Sequence, residues 1–285
     1  MTADPGSATV QALLAGGATT LGQAGIPEPR REAGRIWAGL SGEPDAGAWL
    51  ASSAPPDAAL ATRFGDAVRR RASGKPLAYV IGIWGFRHLT LNVTGDVLIP
   101  RPETEGLVEL ALERARGGRA ADLGTGSGCI ALALATEGAF DQVIGVDRSE
   151  AALRVARRNA IAAGVELPLL KSDFGSALAS ASFDLIVSNP PYLSEAEYRH
   201  LDLAVKAFEP RLALESGADG LLATRTVLAG AARILRPGGW VALEIDSTRA
   251  DASARLAAGA GLHAVTIHQD LFGRERFLLA QRSNA

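Results

Sequence analysis

The apolar run Phe183-Asp184-Leu185-Ile186-Val187 ends in Ser188-Asn189-Pro190-Pro191-Tyr192. A turn at a strand end needs one residue of fixed φ, which proline supplies. It does not need an amide before the prolines and a phenol after them. Asn189 offers a side-chain carbonyl. The Pro190 carbonyl precedes a peptide bond that has no N–H. Together they could each accept one hydrogen of a planar –NH₂ group, leaving the nitrogen's face open to an electrophile. Pro191 shapes the step and Tyr192 could pack on the planar group. The chemistry these residues suit is transfer of a group to an amide or exocyclic amine nitrogen, held by position and not by a strong base.

Three other stretches describe what the nitrogen would meet. In Ala121-Asp122-Leu123-Gly124-Thr125-Gly126-Ser127-Gly128 a short strand gives way to alternating glycines and then a helix. Glycines at Gly124, Gly126 and Gly128, with Thr125 and Ser127 between them, let backbone approach a ligand closely. The spacing differs from the G-x-G-x-x-G of dinucleotide folds. Asp147 ends the next strand, where a carboxylate can accept from two vicinal ribose hydroxyls. It would equally serve as the N-cap of the following helix. Asp173 and Phe174 follow the third strand, an acceptor and an aromatic face that suit an adenine ring; a turn with a core Phe is the plainer reading. No G-x-x-x-x-G-K-[ST] stretch handles phosphates. A nucleoside pocket without phosphate apparatus, beside an amine clamp, points to S-adenosylmethionine.

These residues must be placed by strands. From about residue 102 the chain alternates strand-like and helix-like segments. Strands are expected at RAADL, QVIGV, LPLL, FDLIVS, WVALEI, HAVTIH and RFLLAQ. Such alternation predicts a doubly wound α/β sheet, parallel in its first strands, with the candidate residues at its carboxyl edge. The final two strands are joined only by QDLFGRE, too short for a parallel crossover, so they should pair antiparallel. Residues 1–74 read as helical, with Ser7 as an N-cap, Pro27 or Pro29 opening a second helix that Gly42 stops, and Asp57 opening a third. Arg69–Arg71 reads as the solvated end of that third helix, where cations suit the dipole. SGKP at 73–76 reads as a linker, and the alternation of Leu89, Leu91 and Val93 predicts a β-hairpin. The expected organisation is a helical domain over 1–74, a hairpin linker over 75–98 and a catalytic domain over 99–285.

Bulk properties exclude several classes. The net charge of −2 lacks the basic excess of most nonspecific nucleic-acid binders. The first 74 residues carry as many acidic as basic side chains. A single cysteine, Cys129, forms no disulfide framework or cysteine zinc cluster. His88, His200, His263 and His268 include no close pair suited to a metal, so no metal is expected. No leader and no membrane span are evident, which points to the cytoplasm and to no membrane partner. No unused apolar stripe marks the N-terminal helices, so a monomer is expected.

Asn-Pro-Pro-Tyr after a DLGTGSG loop resembles the class I, Rossmann-like, seven-stranded N-methyltransferases. Val97-Leu98-Ile99-Pro100-Arg101-Pro102-Glu103-Thr104-Glu105 and the stretch from Glu209 to Leu221 narrow the resemblance to the HemK/PrmC family. These are the peptide chain release factor glutamine-N5 methyltransferases. The resemblance covers nearly the whole chain and is strongest over 79–221. It implies S-adenosylmethionine as cofactor, a release factor as partner, and the glutamine of its Gly-Gly-Gln loop as acceptor. It places the cofactor against Gly124 to Gly128, Asp147 and Phe174, and the acceptor against Asn189 to Tyr192. Asn189, Pro190 and Tyr192 are the expected catalytic residues. Asp173 and Asn189 join the expected cofactor contacts, and Arg101 and Thr104 lie in a stretch expected to close over the site. Gly82 to Leu91 follows the family's hairpin only loosely. The clamp alone also admits adenine N6 of nucleic acid, or a glutamine of another protein such as a ribosomal protein. A cofactor-binding adaptor without catalysis would have no use for the clamp.

Overall fold

A computed structural model describes residues 9–42 and 55–284. The chain divides into two compact units, 1–83 and 84–285.

In the first unit, α1 (Val10–Gln23) opens where the Thr9 hydroxyl accepts from the Ala12 N–H at 3.2 Å. Thr9 takes the role expected of Ser7, which lies outside the described residues. Helix α2 (Pro29–Ser41) has Pro29 in its first turn and stops at Gly42, whose φ of +78° a residue with a Cβ adopts at a cost. Asp57 caps α3 (Ala58–Ala72), and a short α4 (Leu77–Ile81) follows Pro76. Leu14, Leu21, Ile36, Trp37, Phe64 and Val68 form the core of this unit. Gly17 is small for a packing reason: a Cβ there would stand 2.8 Å from Phe64 Cζ. The basic end of α3 is not simply solvated. Arg71 forms a largely buried ion pair with Glu32 (Nε–Oε2 2.6 Å), and Arg70 donates to the Val80 carbonyl.

The hairpin is β1 (Ile83–Phe86) and β2 (Leu89–Asn92), shorter than the extended stretch expected from sequence. Residues 77–81 are helical instead, because Leu77, Ala78, Tyr79 and Val80 are all buried and a strand would turn alternate ones outward.

The second unit contains α5 (Glu103–Arg114), β3 (Gly117–Leu123), α6 (Cys129–Glu137), β4 (Ala139–Asp147), α7 (Glu150–Ala163), β5 (Leu169–Lys171) and β6 (Phe183–Ser188). Two short helices follow, α8 (Glu195–His200) and α9 (Leu203–Phe208). Then come α10 (Leu222–Ile234), β7 (Leu235–Glu244), α11 (Ala250–Gly259), β8 (Leu262–Gln269) and β9 (Glu275–Arg282). The seven-stranded sheet has the order β5-β4-β3-β6-β7-β9-β8. The first five strands of this unit's sheet run parallel, and β9 is antiparallel to both β7 and β8. Each expected strand is present, and the last pair is antiparallel as the short connection requires.

Both faces of the sheet are covered, so successive strand residues alternate between two cores. Leu185, Val187, Ala242, Phe277 and Leu279 pack with α5, α6 and the hairpin. Ile186, Val241, Leu243, Leu278 and Ala280 pack with α10 and α11. The order reverses between β3 and β6, and the carboxyl ends of these two neighbours form the switch point where open α/β sheets bind ligands. No helix among the described residues is long and apolar enough to cross a membrane.

Candidate active site

The glycine loop is built by the end of β3. Ala120 to Leu123 are completely buried, so the chain must leave the sheet abruptly. Gly124, Gly126 and Gly128 have φ of +80°, +55° and +84°, the left-handed region that favours glycine. The Gly124 and Thr125 N–H groups both donate to the Val146 carbonyl at 2.8 and 2.9 Å, pinning the loop to β4. Beneath it Asp122 accepts from the Thr125 hydroxyl at 2.6 Å and from the Ala131 N–H at 3.2 Å. Its other oxygen is buried without a partner, and burial pushes the carboxyl up to about 7.

Asp147 ends β4, but Ser149, not Asp147, caps α7: its hydroxyl accepts from the Ala152 N–H. One Asp147 oxygen accepts from the Gly126 N–H at 2.9 Å and the other from the Ser149 N–H at 2.8 Å. Burial raises its pKa, while these backbone donors act in the opposite sense. Phe174 follows β5 with φ +44°, a conformation that side chains with a Cβ rarely adopt and that ligand-gripping residues often store. A Cβ on Gly124 would lie 3.6 Å from the Phe174 ring.

These loops line one cavity of about 290 Å³. Gly124, Thr125, Gly126, Ser127, Asp147, Asp173, Phe174, Asn189 and Pro191 form its wall, with Arg101 and Thr104. Gly128, Pro190 and Tyr192 do not line it. Gly128 turns the chain into α6, where a Cβ would approach Ala156 Cβ to 3.3 Å. Pro190 is buried and Tyr192 half-buried. Desolvation pushes the Tyr192 phenol up to about 12, so it is neutral near pH 7.

Ser188 is buried and its hydroxyl donates to the Leu123 carbonyl, which ties the base of the clamp to the base of the glycine loop. Asn189 Nδ2 donates to Thr104 Oγ1 at 3.0 Å, and Thr104 Oγ1 donates to Glu244 Oε2 at 2.7 Å. Beyond the clamp, Leu193 exchanges backbone hydrogen bonds with Leu214 and Ser216 at 2.9 and 2.8 Å. Gly220, with φ +75°, lies so close that a Cβ would stand 2.5 Å from the Tyr192 carbonyl. Arg101 reaches both oxygens of buried Glu209, at 2.7 and 2.8 Å. That pair joins the two stretches on either side of the cavity.

Sequence reading missed three residues that support this arrangement. Glu244 is the one charge in the apolar run Trp240–Ile245, and Glu209 precedes Pro210 in a loop. Asn159 sits in the buried stripe of α7 with Ala152, Val155, Ala156 and Ala160. Its Oδ1 accepts from the Asn92 N–H at 2.7 Å, and its Nδ2 donates to the Asn92 and Ser127 carbonyls. A polar residue on an apolar face was the available signal in the first and third cases.

The site fits a sulfonium nucleoside by its donors and acceptors. The glycine backbone lies bare along one wall, a carboxylate and an aromatic face stand on the next two loops, and an amide faces them from the fourth. Comparison with known proteins bears on this fit. Residues 12–82 match the PrmC N-terminal domain and residues 103–211 match the methyltransferase small domain. A release factor glutamine methyltransferase of Moorella thermoacetica is 42% identical over 282 residues, 96% of this chain and 99% of the relative. One from Xylella fastidiosa is 48% identical over 235 residues, 80% of this chain and 85% of the relative. A solved methyltransferase from Pyrococcus furiosus, 20% identical, shares the fold with a TM-score of 0.54, over 77% of this chain and all but 1% of that one (99% covered). Identity of this order along almost the full length means that the chain belongs to the release factor glutamine methyltransferase family, and so is a methyltransferase with S-adenosylmethionine as its cofactor.

Proposed function

We propose that this chain methylates the side-chain amide nitrogen, N5, of the glutamine in the Gly-Gly-Gln loop of peptide chain release factors. The observation that carries the reading is the orientation of Asn189: with its Nδ2 committed to Thr104, its carbonyl oxygen is the atom left to receive a donor. An amide –NH₂ is such a donor, and the relatives named above act on glutamine.

The glycine loop from Gly124 to Gly128, Asp147, Asp173 and Phe174 are the residues that would hold the cofactor. When bound, S-adenosylmethionine supplies a methyl carbon already activated by its sulfonium. The chain's own task is the acceptor, since a glutamine nitrogen is a poor nucleophile while its lone pair is shared with the carbonyl. Asn189 Oδ1, on the cavity wall, accepts one of its N–H groups; the Pro190 carbonyl, which does not line the cavity in this structure, would have to be reached by the second for the nitrogen's face to be fixed. The same two oxygens stabilise the positive charge that grows on nitrogen as its new bond forms. The proton then leaves to water. Tyr192, neutral at working pH, supports the planar amide without exchanging a proton.

Residues 1–74 serve in this proposal as the recognition domain for the release factor, with the hairpin region of 75–98 as its linker to the catalytic part. The adenine alternative has less support, since the curated relatives are glutamine enzymes.

The test is incubation with labelled S-adenosylmethionine and a purified bacterial release factor, beside a variant whose Gly-Gly-Gln glutamine is alanine. Label on the unaltered factor alone is expected. Asn189→Ala is expected to lower the rate roughly 10²-fold, the scale of losing one preorganised polar group, with cofactor affinity within a few-fold. Label on both factors, or on neither with nucleic acid labelled in parallel, overturns the proposal.

A further inference from the structure

The clamp requires that Asn189 present oxygen and not nitrogen, and an amide side chain can do either. What decides it lies in the cavity wall, at Thr104, and behind it, at Glu244. Thr104 and Glu244 are each only 2% exposed, and Thr104 Oγ1 stands 2.7 Å from Glu244 Oε2 and 3.0 Å from Asn189 Nδ2. A hydroxyl has one proton to give, and an ionised carboxylate has none. Thr104 must therefore donate to ionised Glu244, and its oxygen can then only accept from Asn189. That leaves the nitrogen of Asn189 turned inward and the oxygen turned to the cavity.

Resting on the glutamine reading above, we infer that Glu244 is a positioning residue of methyl transfer: acting through Thr104, its negative charge sets which end of the Asn189 amide faces the acceptor. A protonated Glu244 can donate to Thr104. The Thr104 proton is then free to point at Asn189, which does better to turn its oxygen inward and its –NH₂ outward. An outward –NH₂ meets the acceptor's own N–H groups and cannot hold them.

Titration is within reach of the working range. Burial is the leading cause that lifts the Glu244 carboxyl, to about 7; Thr104 and the nearby charges modify it. The charged groups that bear on it are Arg276 on β9 and Arg101 before α5, which favour its ionised form, and Glu103 on α5, which opposes it. The Tyr192 phenol and the Cys129 thiol also sense Glu244, and both are held well above neutral pH by their own burial. The sign follows: the productive orientation is present when Glu244 is ionised and is lost as pH falls through its folded value.

Two measurements on the full chain test this. The first is the Asn189 side-chain amide signal in a ¹⁵N-labelled protein, assigned by its loss in Asn189→Ala, followed from pH 5 to 8.5. It should shift with one midpoint, near neutral and above the ordinary glutamate range, and lose that shift in Glu244→Gln. The second is transfer to the release factor over the same range. The wild-type rate should fall about tenfold per pH unit below that midpoint. Glu244→Gln should be down roughly 10-fold or more at pH 8, with cofactor affinity within a few-fold and the acidic limb gone. Thr104→Val should show a similar loss, and the double variant no more than either single one, as expected of residues acting in series. An Asn189 signal that does not move with pH, or a Glu244→Gln enzyme that keeps the acidic limb or full rate, overturns the inference. If the wild type labels no release factor, the glutamine reading has failed, and the amide titration still decides the role of Glu244.

Discussion

Asp122 meets no solvent and yet carries an acidic group under the glycine loop. Two of its hydrogen bonds hold the loop's shape, one to the Thr125 hydroxyl and one to the first turn of α6. The cost falls on stability. Its folded value near 7 lies above the roughly 3.9 of a free aspartate, so native Asp122 binds a proton that the unfolded chain releases. The stability it contributes is full below the unfolded value and is lost as pH rises through the folded one. The denaturant midpoint of the wild type should therefore fall between pH 5 and 8 by more than that of Asp122→Asn, which keeps an acceptor for both partners. Parallel curves for the two proteins count against this account. At this scale, what could be read from sequence was what lies along a single strand end: Asn189, Gly124 and Asp147 declare themselves by position. Glu244 and Thr104 are 140 positions apart in the chain; pairing of β7 beside β6 brings Glu244 next to Asn189, and the first turn of α5 brings Thr104. No local pattern carries that information.

Among the elements, the hairpin has an assignment that its sequence did not suggest. Asn159 on α7 grips the end of β2 through the Asn92 N–H and carbonyl, and grips the glycine loop through the Ser127 carbonyl. One buried amide thus fastens hairpin and loop to the same helix. Replacing it with leucine leaves the half-buried Asn92 N–H and carbonyl and the buried Ser127 carbonyl without that partner, a loss of about 2 kcal/mol. Asn159→Leu should melt several degrees lower and bind S-adenosylmethionine more weakly, by thermal unfolding and calorimetry respectively. Unchanged cofactor affinity in a destabilised protein would confine Asn159 to holding the fold. Element boundaries were legible where capping chemistry is local, as at Asp57, Pro29 and Gly42. They were not legible at 77–81, because five residues that are nearly all apolar have the same periodicity whether helix or strand.

For the molecule as a whole, every residue lining the cavity belongs to the second compact unit, between Asp96 and Thr226. Cofactor binding and partner recognition should therefore separate. A chain of residues 84–285 should bind S-adenosylmethionine within a few-fold of the full protein. Its methyl transfer to a release factor should drop roughly 10²-fold, as when one of two linked contacts is lost. Equal loss of both would mean that the first unit is needed for the second to fold. The sheet was legible as alternation of strand and helix, down to the antiparallel end, but the place of β9 was not. It lies between β7 and β8 although it follows both in the chain. This ordering has a consequence for the time course of synthesis. As the nascent chain emerges, β8 has no edge to join, and β7 offers its own edge to nothing, until residues 275–282 have cleared the exit tunnel. The half of the sheet that holds Glu244 therefore closes late and all at once, and a chain stalled before β9 presents two open strand edges to its neighbours on the polysome.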